Sequence, residues 1–272
     1  MPVNIPDKLP AIEILKKEHI FVMDDLRAST QDIRPLKILV LNLMPLKVTT
    51  ETDLIRLLSN SPLQVEIEFL GLTSHTPRNT PIEHLMSFYN GFDKIKETYY
   101  DGMIITGAPV EMIPFEEVTY WDELTHIFDW ARTHVTSTFY ICWGAQAALY
   151  HFYGIQKYPL EKKLFGVFSH TINDPSFPLF RGFDDTFYAP HSRHTAILAS
   201  EIGRHPGLTI HSESEEAGVY IVSSRGGREF YVTGHSEYAP MTLHNEYTRD
   251  KEKGMDSVEL PHNYYRNSDP SL

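Results

Sequence analysis

Between residues 36 and 141, short apolar runs alternate with helical patterns. Apolar residues at helical spacing, such as Leu124, Ile127 and Phe128, indicate helices between the runs. Because strands that alternate with helices form parallel sheets, we expect an α/β fold with helices on both faces of a mostly parallel sheet. Four runs have the length of buried strands, namely "LKILVLNL" (36–43), "VEIEFL" (65–70), "GMIIT" (102–106) and "STFYI" (137–141).

The C-terminal third of the chain has a different pattern, which predicts an antiparallel extension. Two strand-like segments, 217–224 and 229–234, flank a turn with two glycines, as in a β-hairpin. A helix is predicted over 241–254. Since no linker divides the sequence, we expect residues 1–272 to form a single domain.

Two helix starts are predicted from capping residues. Thr49 or Thr50 is expected to cap a helix after the first strand, with Leu54, Leu57 and Leu58 on its apolar face. Farther along, Thr80 precedes a proline and stands three residues before Glu83, which is the pattern of a capping box.

Composition argues against several classes of protein. The net charge is −12, from 24 basic and 36 acidic residues without a basic stripe, so we expect no nucleic-acid partner. A single cysteine excludes an internal disulfide and a multi-thiolate zinc site, and no helical His pair indicates a metal. No run approaches ~18 apolar residues, and the start lacks the apolar core of a signal peptide, so we expect a cytoplasmic protein away from membranes.

That single cysteine, Cys142, is the first candidate for chemistry, because it stands where a predicted strand turns into a helix. Such a turn places a side chain at the carboxyl edge of the sheet, and the N-terminus of the helix favours a thiolate. Gly144 and Ala145 are small, as a tight turn requires. The alternative is an inert buried thiol, since free cysteine is among the most buried residue types.

His235 and Glu237 are the second candidate. They stand two apart after a predicted strand, so in an extended segment both side chains point to the same side. A thiol nucleophile needs a base, and the base needs a carboxylate to orient it. The alternative is a solvated histidine beside an unrelated carboxylate.

Weaker signals come from a turn and from four polar side chains. The segment "TGAPVE" (106–111) ends a strand with glycine and proline, and its backbone N–H groups could stabilise an oxyanion. Each of four possible substrate anchors could equally be a surface group, and these are Lys163, Ser192, Arg193 and Arg249.

Seven segments are distinctive enough to compare with known families, namely "NLMPLKVTTETDLIRLLSNSPLQVEIEFL", "DGMIITGAPVE", "FEEVTYWDEL", "TSTFYICWGAQAALYHFYGI", "KLFGVFSH", "APHSRHT" and "VTGHSEY". They resemble the homoserine O-acyltransferases of the MetA type, which comprise O-succinyltransferases and O-acetyltransferases of methionine synthesis. The resemblance covers essentially the whole chain.

The resemblance implies a fold like class I glutamine amidotransferases, which is flavodoxin-like, and a ping-pong reaction without a resident cofactor. Cys142 would take the acyl group from acyl-CoA as a thioester, His235 would act as general base, and Glu237 would orient His235. The oxyanion would rest on backbone N–H groups near Val110 and Glu111 and at Trp143. Three side chains would contact substrate, and these are Lys163, Ser192 and Arg249. The resemblance also implies a homodimer.

Donor and acceptor are assigned from the same resemblance. In the family, glutamate at the position of Glu111 goes with acetyl-CoA and glycine goes with succinyl-CoA, so acetyl-CoA is the expected donor and succinyl-CoA the alternative. L-homoserine is the expected acceptor, but L-serine differs by one methylene, worth only ~1–3 kcal/mol of discrimination. Ser236 replaces the proline usual in the family, which loosens the backbone between His235 and Glu237.

Two other classes of function stay open from the sequence. A glutamine amidotransferase or cysteine hydrolase would also use Cys, His and Glu, although the usual glycine two residues before the cysteine is Tyr140 here. A non-catalytic binding protein would have no need of all three groups.

Overall fold

The computed structural model describes residues 3–6, 8–18, 20, 22–23, 34–75, 77, 79–254 and 258–270. The chain divides into two units, Met1–Tyr140 and Ile141–Leu272. The single domain expected for residues 1–272 therefore stays a prediction.

The first unit is built on a parallel sheet, as the alternation of strands and helices predicts. Its strands are β1 (Val3–Asn4), β2 (Val22–Met23), β3 (Leu36–Leu41), β4 (Val65–Leu70), β5 (Tyr89–Asn90), β6 (Tyr100–Ile105) and β7 (Val135–Ile141). Its helices are α1 (Ala11–Lys17), α2 (Lys47–Leu58), α3 (Ile82–Phe88), α4 (Phe92–Ile95) and α5 (Trp121–His134), with a 3-10 turn at Phe115–Glu117. The strand order is β2-β1-β4-β3-β6-β7, β5 pairs with the end of β4, and each of these pairings is parallel.

The four predicted strands of this unit are confirmed, and the buried surfaces explain why. Strand β3 is central, with Val40 paired to Phe69 on one side and to Ile104 on the other. Both faces of such a strand are covered, so it needs the near-continuous apolar run that the sequence supplies. Helix α5 buries Leu124 and Phe128, as its spacing predicts.

The capping prediction for α2 is wrong. The helix begins at Lys47, so Thr50 lies inside it, and the Thr50 hydroxyl donates to the carbonyl of Leu46 at 3.3 Å. Of the predicted apolar face, Leu54 is buried as expected, but Leu57 is 49% exposed. Glu51 is fully buried instead and accepts hydrogen bonds from neighbouring side chains. The buried face of α2 is therefore polar in part, which a search for apolar spacing does not detect.

The capping box at Thr80 is also absent. Helix α3 begins at Ile82 with Pro81 as its N-cap, and no side chain caps it. The Thr80 hydroxyl donates instead to the carbonyl of Pro45 at 3.4 Å. The proline occupies the cap, one position later than the pattern requires, so Thr80 is too far from the first turn.

The second unit is built on antiparallel strands. Its strands are β8 (Tyr158–Ile172), β9 (Thr186–Ala196), β10 (Thr209–Ser214), β11 (Gly218–Ser224) and β12 (Glu229–Val232). Its helices are α6 (Trp143–Tyr153), α7 (Ala199–Ile202) and α8 (Thr242–Glu252), with 3-10 turns at Pro178–Phe180 and Arg266–Ser268. The order is β12-β11-β10-β8-β9, with antiparallel pairing throughout. This confirms the predicted hairpin and the last helix, and adds the long β8–β9 hairpin that the sequence analysis did not predict.

Among the residues that the structure describes, no helix combines the length and the apolar character needed to span a bilayer.

Candidate active site

Cys142 lies in a sharp turn between the end of β7 and the start of α6. Its backbone has φ 50° and ψ −117°, a conformation that L-residues rarely adopt and that costs about 1–3 kcal/mol. Its N–H donates to the carbonyl of Val232 at 2.7 Å, and its carbonyl accepts the N–H groups of Ala145 and Gln146 at 3.0 and 3.2 Å. The backbone of the turn is therefore held at both ends, and strain of this kind is typical of a nucleophile elbow.

His235 and Glu237 are brought together in the loop after β12. The Nδ1 atom of His235 lies 2.7 Å from Oε1 of Glu237, and both side chains are buried. The backbone N–H of His235 donates to the carbonyl of Pro190 at 2.9 Å. A Cβ atom on Gly234 would lie 2.8 Å from that same carbonyl and from the ring of Tyr220. Only glycine fits directly before His235, and this close packing fixes the histidine backbone.

The side chain of His235 also hydrogen-bonds to Cys142. Because Nδ1 faces Glu237, Nε2 is the ring nitrogen left for the thiol. Burial by itself lowers the pKa of His235, but the negative charges of Cys142 and Glu237 and their hydrogen bonds raise that pKa well above its usual value. The site thus favours an imidazolium beside a thiolate, which is the reactive form of a cysteine nucleophile.

Two neighbours of this dyad complete its surroundings. The ring of Tyr238 stacks on the imidazole of His235, with centroids 4.2 Å apart and planes 19° apart. Ser236 hydrogen-bonds to the side chain of Tyr220 on β11. Ser236, between His235 and Glu237, is thus tied to the sheet by its side chain.

Two of the predicted substrate anchors converge on a carboxylate that the sequence analysis did not identify. Glu246 on α8 accepts hydrogen bonds from Ser192 at 2.6 Å and from the hydroxyl of Tyr238 at 2.8 Å. Lys163 lies 3.5 Å from Glu246 and 3.4 Å from Asp250, one turn farther along the helix. The i, i+4 spacing of two acidic residues was the available signal, but such pairs more often face solvent.

Arg249 belongs to the same group of charges. Its guanidinium bonds to Asp250 at 2.7 and 2.8 Å, while its side chain is still 48% exposed. Burial raises the pKa of Asp250, but the hydrogen bond from Arg249 and the charge of Lys163 outweigh it and hold that pKa below its usual value. The structure therefore joins all three predicted anchors through two carboxylates, and Arg249 keeps an exposed face for a ligand.

A second group of buried histidines lies beside Gly234. The Nε2 atoms of His170 and His191 are 3.0 Å apart, and Nε of Arg193 donates to Nδ1 of His191 at 3.3 Å. Arg193 also donates to the carbonyls of Thr195 and Ala217. Burial and the charge of Arg193 hold the pKa of His191 well below its usual value, and they lower that of His170 to about 4. Arg193, considered a possible anchor, is thus a buried structural group.

The predicted oxyanion residues lie in different units. Val110 and Glu111 are in the turn after β6, where the N–H of Val110 donates to the carbonyl of Ala108 at 2.9 Å. Val110 would have to leave that partner to serve an oxyanion. Trp143 begins α6 and is fully buried, and first-turn N–H groups of a helix have no acceptor within the helix. The part played by these three backbones stays a prediction.

Each unit contains a cavity. In the first unit, about 520 Å³ lies at the carboxyl ends of β3, β4 and β6, lined mainly by apolar side chains and by Lys47 and Val110. Burial lowers the pKa of Lys47 to about 8. In the second unit, about 880 Å³ is lined in part by Lys163 and Asp250. No group of three or more His, Cys, Asp or Glu side chains with metal-binding geometry occurs within the described ranges.

Comparisons with known proteins identify the family of this chain. Residues 2–272 match the family model described as homoserine O-succinyltransferase. A protein of Parabacteroides distasonis named homoserine O-acetyltransferase is 65% identical over 271 residues, which cover 100% of this chain and 87% of that protein. A protein of the same name from Brevibacillus brevis is 60% identical over 271 residues, covering 100% and 88%.

Solved structures agree with the fold. A glutamine amidotransferase from Thermotoga maritima superposes with a TM-score of 0.57 at 14% identity, covering 86% of this chain and 92% of that one. A glutamine amido transferase from Methylobacillus flagellatus superposes with a TM-score of 0.54 at 10% identity, covering 86% of this chain and 84% of that one. The expected amidotransferase-like α/β fold is confirmed, and identities this low carry nothing about activity.

Proposed function

Because this chain belongs to the homoserine O-succinyltransferase family, we propose that it transfers an acetyl group from acetyl-CoA to the hydroxyl of L-homoserine, in methionine biosynthesis. The observation that carries the proposal is the buried line from Cys142 through His235 to Glu237, with 2.7 Å between the last two side chains. Nucleophile, base and orienting carboxylate are the groups that acyl transfer through a thioester requires.

In the first half-reaction, the thiolate of Cys142 attacks the acetyl carbonyl carbon. The carbon–sulfur bond of acetyl-CoA breaks, and the His235 imidazolium gives its proton to the departing CoA sulfur. In the second, neutral His235 takes the proton of the acceptor hydroxyl, whose oxygen attacks the thioester and releases the Cys142 sulfur. Glu237 holds the imidazole in the same orientation for both steps.

The choice of acetyl-CoA rests on Glu111 and on the names of the relatives. A carboxylate at the acyl site fills space and repels the free carboxylate of a succinyl group, whereas acetyl is small and uncharged. The relatives at 60 to 65% identity are named as acetyltransferases. Succinyl-CoA is the alternative donor.

The acceptor is assigned to the group of charges around α8. Arg249 is exposed enough to take an α-carboxylate, and Glu246 and Asp250 offer negative charge to an α-ammonium. L-Serine is the alternative acceptor. A thiolate nucleophile and an acyl-CoA donor both suit a reducing cytoplasm, where we place the reaction. From the family resemblance, we also propose that the protein is a homodimer.

The proposal is tested by the release of free CoA from acetyl-CoA and from succinyl-CoA, each offered with homoserine and with serine. We expect CoA release to be fastest with acetyl-CoA and homoserine. In Glu111→Gly, the rates with acetyl-CoA and with succinyl-CoA should differ less. Glu117→Gln, in the 3-10 turn that follows, is the control for removal of a nearby carboxylate. Faster succinyl transfer by the unchanged protein would overturn the donor assignment, and glutaminase activity without any dependence on CoA would favour an amidotransferase.

A further inference from the structure

Tyr238 lies between the base and the acceptor anchors and contacts both. Its ring stacks on the imidazole of His235, and its hydroxyl donates to Oε1 of Glu246 at 2.8 Å. The other oxygen of Glu246 accepts the hydroxyl of Ser192 and lies near Lys163. One side chain thus spans the space between two functional groups that belong to different elements, the loop after β12 and helix α8.

The ring of Tyr238 faces the charged form of His235. A cation above an aromatic face is attracted by the ring quadrupole, and the separation of 4.2 Å is within the range of this interaction. The other ionisable groups that face His235 are Cys142, Glu237 and His191 of β9. Tyr220 of β11 interacts with Glu237. Loss of the Tyr238 ring would leave those groups in place and remove one wall of the imidazole.

The hydroxyl of Tyr238 acts on Glu246. Burial and the charge of Glu246 raise the pKa of Tyr238 well above its usual value, so the hydroxyl keeps its proton and donates. That bond and the one from Ser192 give each oxygen of Glu246 its own donor. A carboxylate held by two donors is oriented before any acceptor binds, which reduces the cost of binding.

We propose that Tyr238 is a positioning residue with two separable contributions: its ring holds the imidazole of His235, and its hydroxyl holds the acceptor-binding carboxylate of Glu246. The second contribution rests on the proposed function, and the first does not, because it concerns the pairing of Cys142 and His235 whatever group is transferred. The base and the acceptor site are therefore fixed relative to each other by one side chain.

Tyr238→Phe and Tyr238→Leu separate the two contributions. Phenylalanine keeps the ring and loses the hydroxyl, so we expect the alkylation of Cys142 by iodoacetamide and the titration of the His235 ring to stay unchanged. The KM for homoserine should rise about 10-fold or more, with CoA release in the acylation half-reaction unaffected. Leucine loses the ring as well, so alkylation should slow at neutral pH, and His235 should lose its proton at a pH lower by about 0.5 or more.

The readouts are NMR of the histidine rings, with His235 assigned by its loss in His235→Gln, together with alkylation rates and steady-state kinetics. Tyr188→Phe removes a hydroxyl from a ring that is 65% exposed and serves as the matched control. Tyr238→Met is a second ring-less variant in case the leucine variant does not fold.

Each contribution has its own contradicting result. Unchanged titration and alkylation in a folded ring-less variant would overturn the role of the ring, and an unchanged KM in Tyr238→Phe would overturn the role of the hydroxyl. A change in the titration that Phe and Leu share equally would show that the ring does not position His235. If the unchanged protein releases no CoA, the proposed function fails and the alkylation result still decides the role of the ring.

Discussion

His235 and the pair formed by His170 and His191, all in the second unit, are similarly buried and carry opposite charge preferences. His235 is 3% exposed, and His170 and His191 are fully buried. The pKa of His235 is raised because a thiolate and Glu237 face it, whereas the pKa values of His170 and His191 are lowered by burial and by the charge of Arg193. Burial alone always disfavours the charged ring, so the sign of the neighbouring charge decides which histidine can act as an acid or base.

The neutral pair is fixed in one tautomer by its neighbours. Because Arg193 donates to Nδ1 of His191, that nitrogen is an acceptor and Nε2 carries the proton, which points to His170. His191 packs against Gly234, directly before His235. His191 and His170 therefore pack behind the backbone of His235 and, being neutral, do not compete for its proton.

The largest effect is expected from Glu237→Gln, which removes the carboxylate that distinguishes His235 from its neighbours. Activity should fall by about 10²- to 10⁴-fold, since the base loses both its orientation and its charge partner. The pKa of His235 should fall, so the alkaline limb of kcat/KM should move to lower pH.

The pH profile is measured for CoA release, with Glu216→Gln, whose side chain is 60% exposed, as the control. An alkaline limb at the same pH in both variants would mean that Glu237 does not set the charge of His235.

A smaller effect on activity is expected from Arg193→Met, which removes the positive charge beside the neutral pair His170 and His191. The carbonyls of Thr195 and Ala217 and Nδ1 of His191 lose a donor, so the free energy of unfolding should fall by about 2–4 kcal/mol. Activity per folded molecule should fall less than about tenfold, because the partners of His235 are unchanged.

Urea unfolding and kinetics on the same preparation separate the two quantities. The control is Arg228→Met, in the exposed turn before β12, which should leave the free energy of unfolding and the activity per folded molecule unchanged within error. A loss of activity as large as that of Glu237→Gln would place Arg193 in the chemistry and break the distinction between the two groups.

The smallest effect is expected from His170→Gln and appears only in acid. The unfolded chain protonates this histidine near pH 6.5, whereas the folded protein protonates it near 4. Between those values the unfolded state binds more protons, so the unchanged protein loses stability as the pH falls, by at most about 1.4 kcal/mol per pH unit from this group.

In His170→Gln, the free energy of unfolding should therefore fall less steeply as the pH is lowered. The measurement is the free energy of unfolding of both proteins at several pH values. His194→Gln, on the exposed side of β9, is the control. An unchanged slope in His170→Gln would mean that His170 is not held neutral.

The sequence predicts the parallel part of the fold well, because buried parallel strands must be apolar on both faces. The buried C-terminal half of strand β3 shows this, and helix α5 is equally predictable because its apolar residues recur at helical spacing. The β8–β9 hairpin has one face more exposed than the other, together with Pro159 and Pro190 inside its strands, so its pattern is weak. The start of α2 was missed because buried Lys47 and Glu51 serve polar contacts that spacing cannot predict.

The site is predictable from the sequence only where its residues form a local pattern. Cys142 and the His235–Glu237 pair stand beside strand ends in recognisable local patterns, and the fold brings the imidazole of His235 to Cys142. Glu246 acquires its role through contacts across the fold with Ser192 and with the hydroxyl of Tyr238, which its sequence spacing does not predict. Tyr238 stacks on an imidazole only three residues before it, but that contact depends on the turn of the loop, whereas the sequence pattern predicts an extended segment.

The sulfur of Cys142 is proposed to carry the acyl group, and the intact mass of the protein mixed with acetyl-CoA without acceptor tests this. We expect a gain of one acetyl group on Cys142, which disappears when L-homoserine is added and is never formed by Cys142→Ala. No adduct on Cys142 in a protein that still turns over, or full activity in Cys142→Ala, would contradict it.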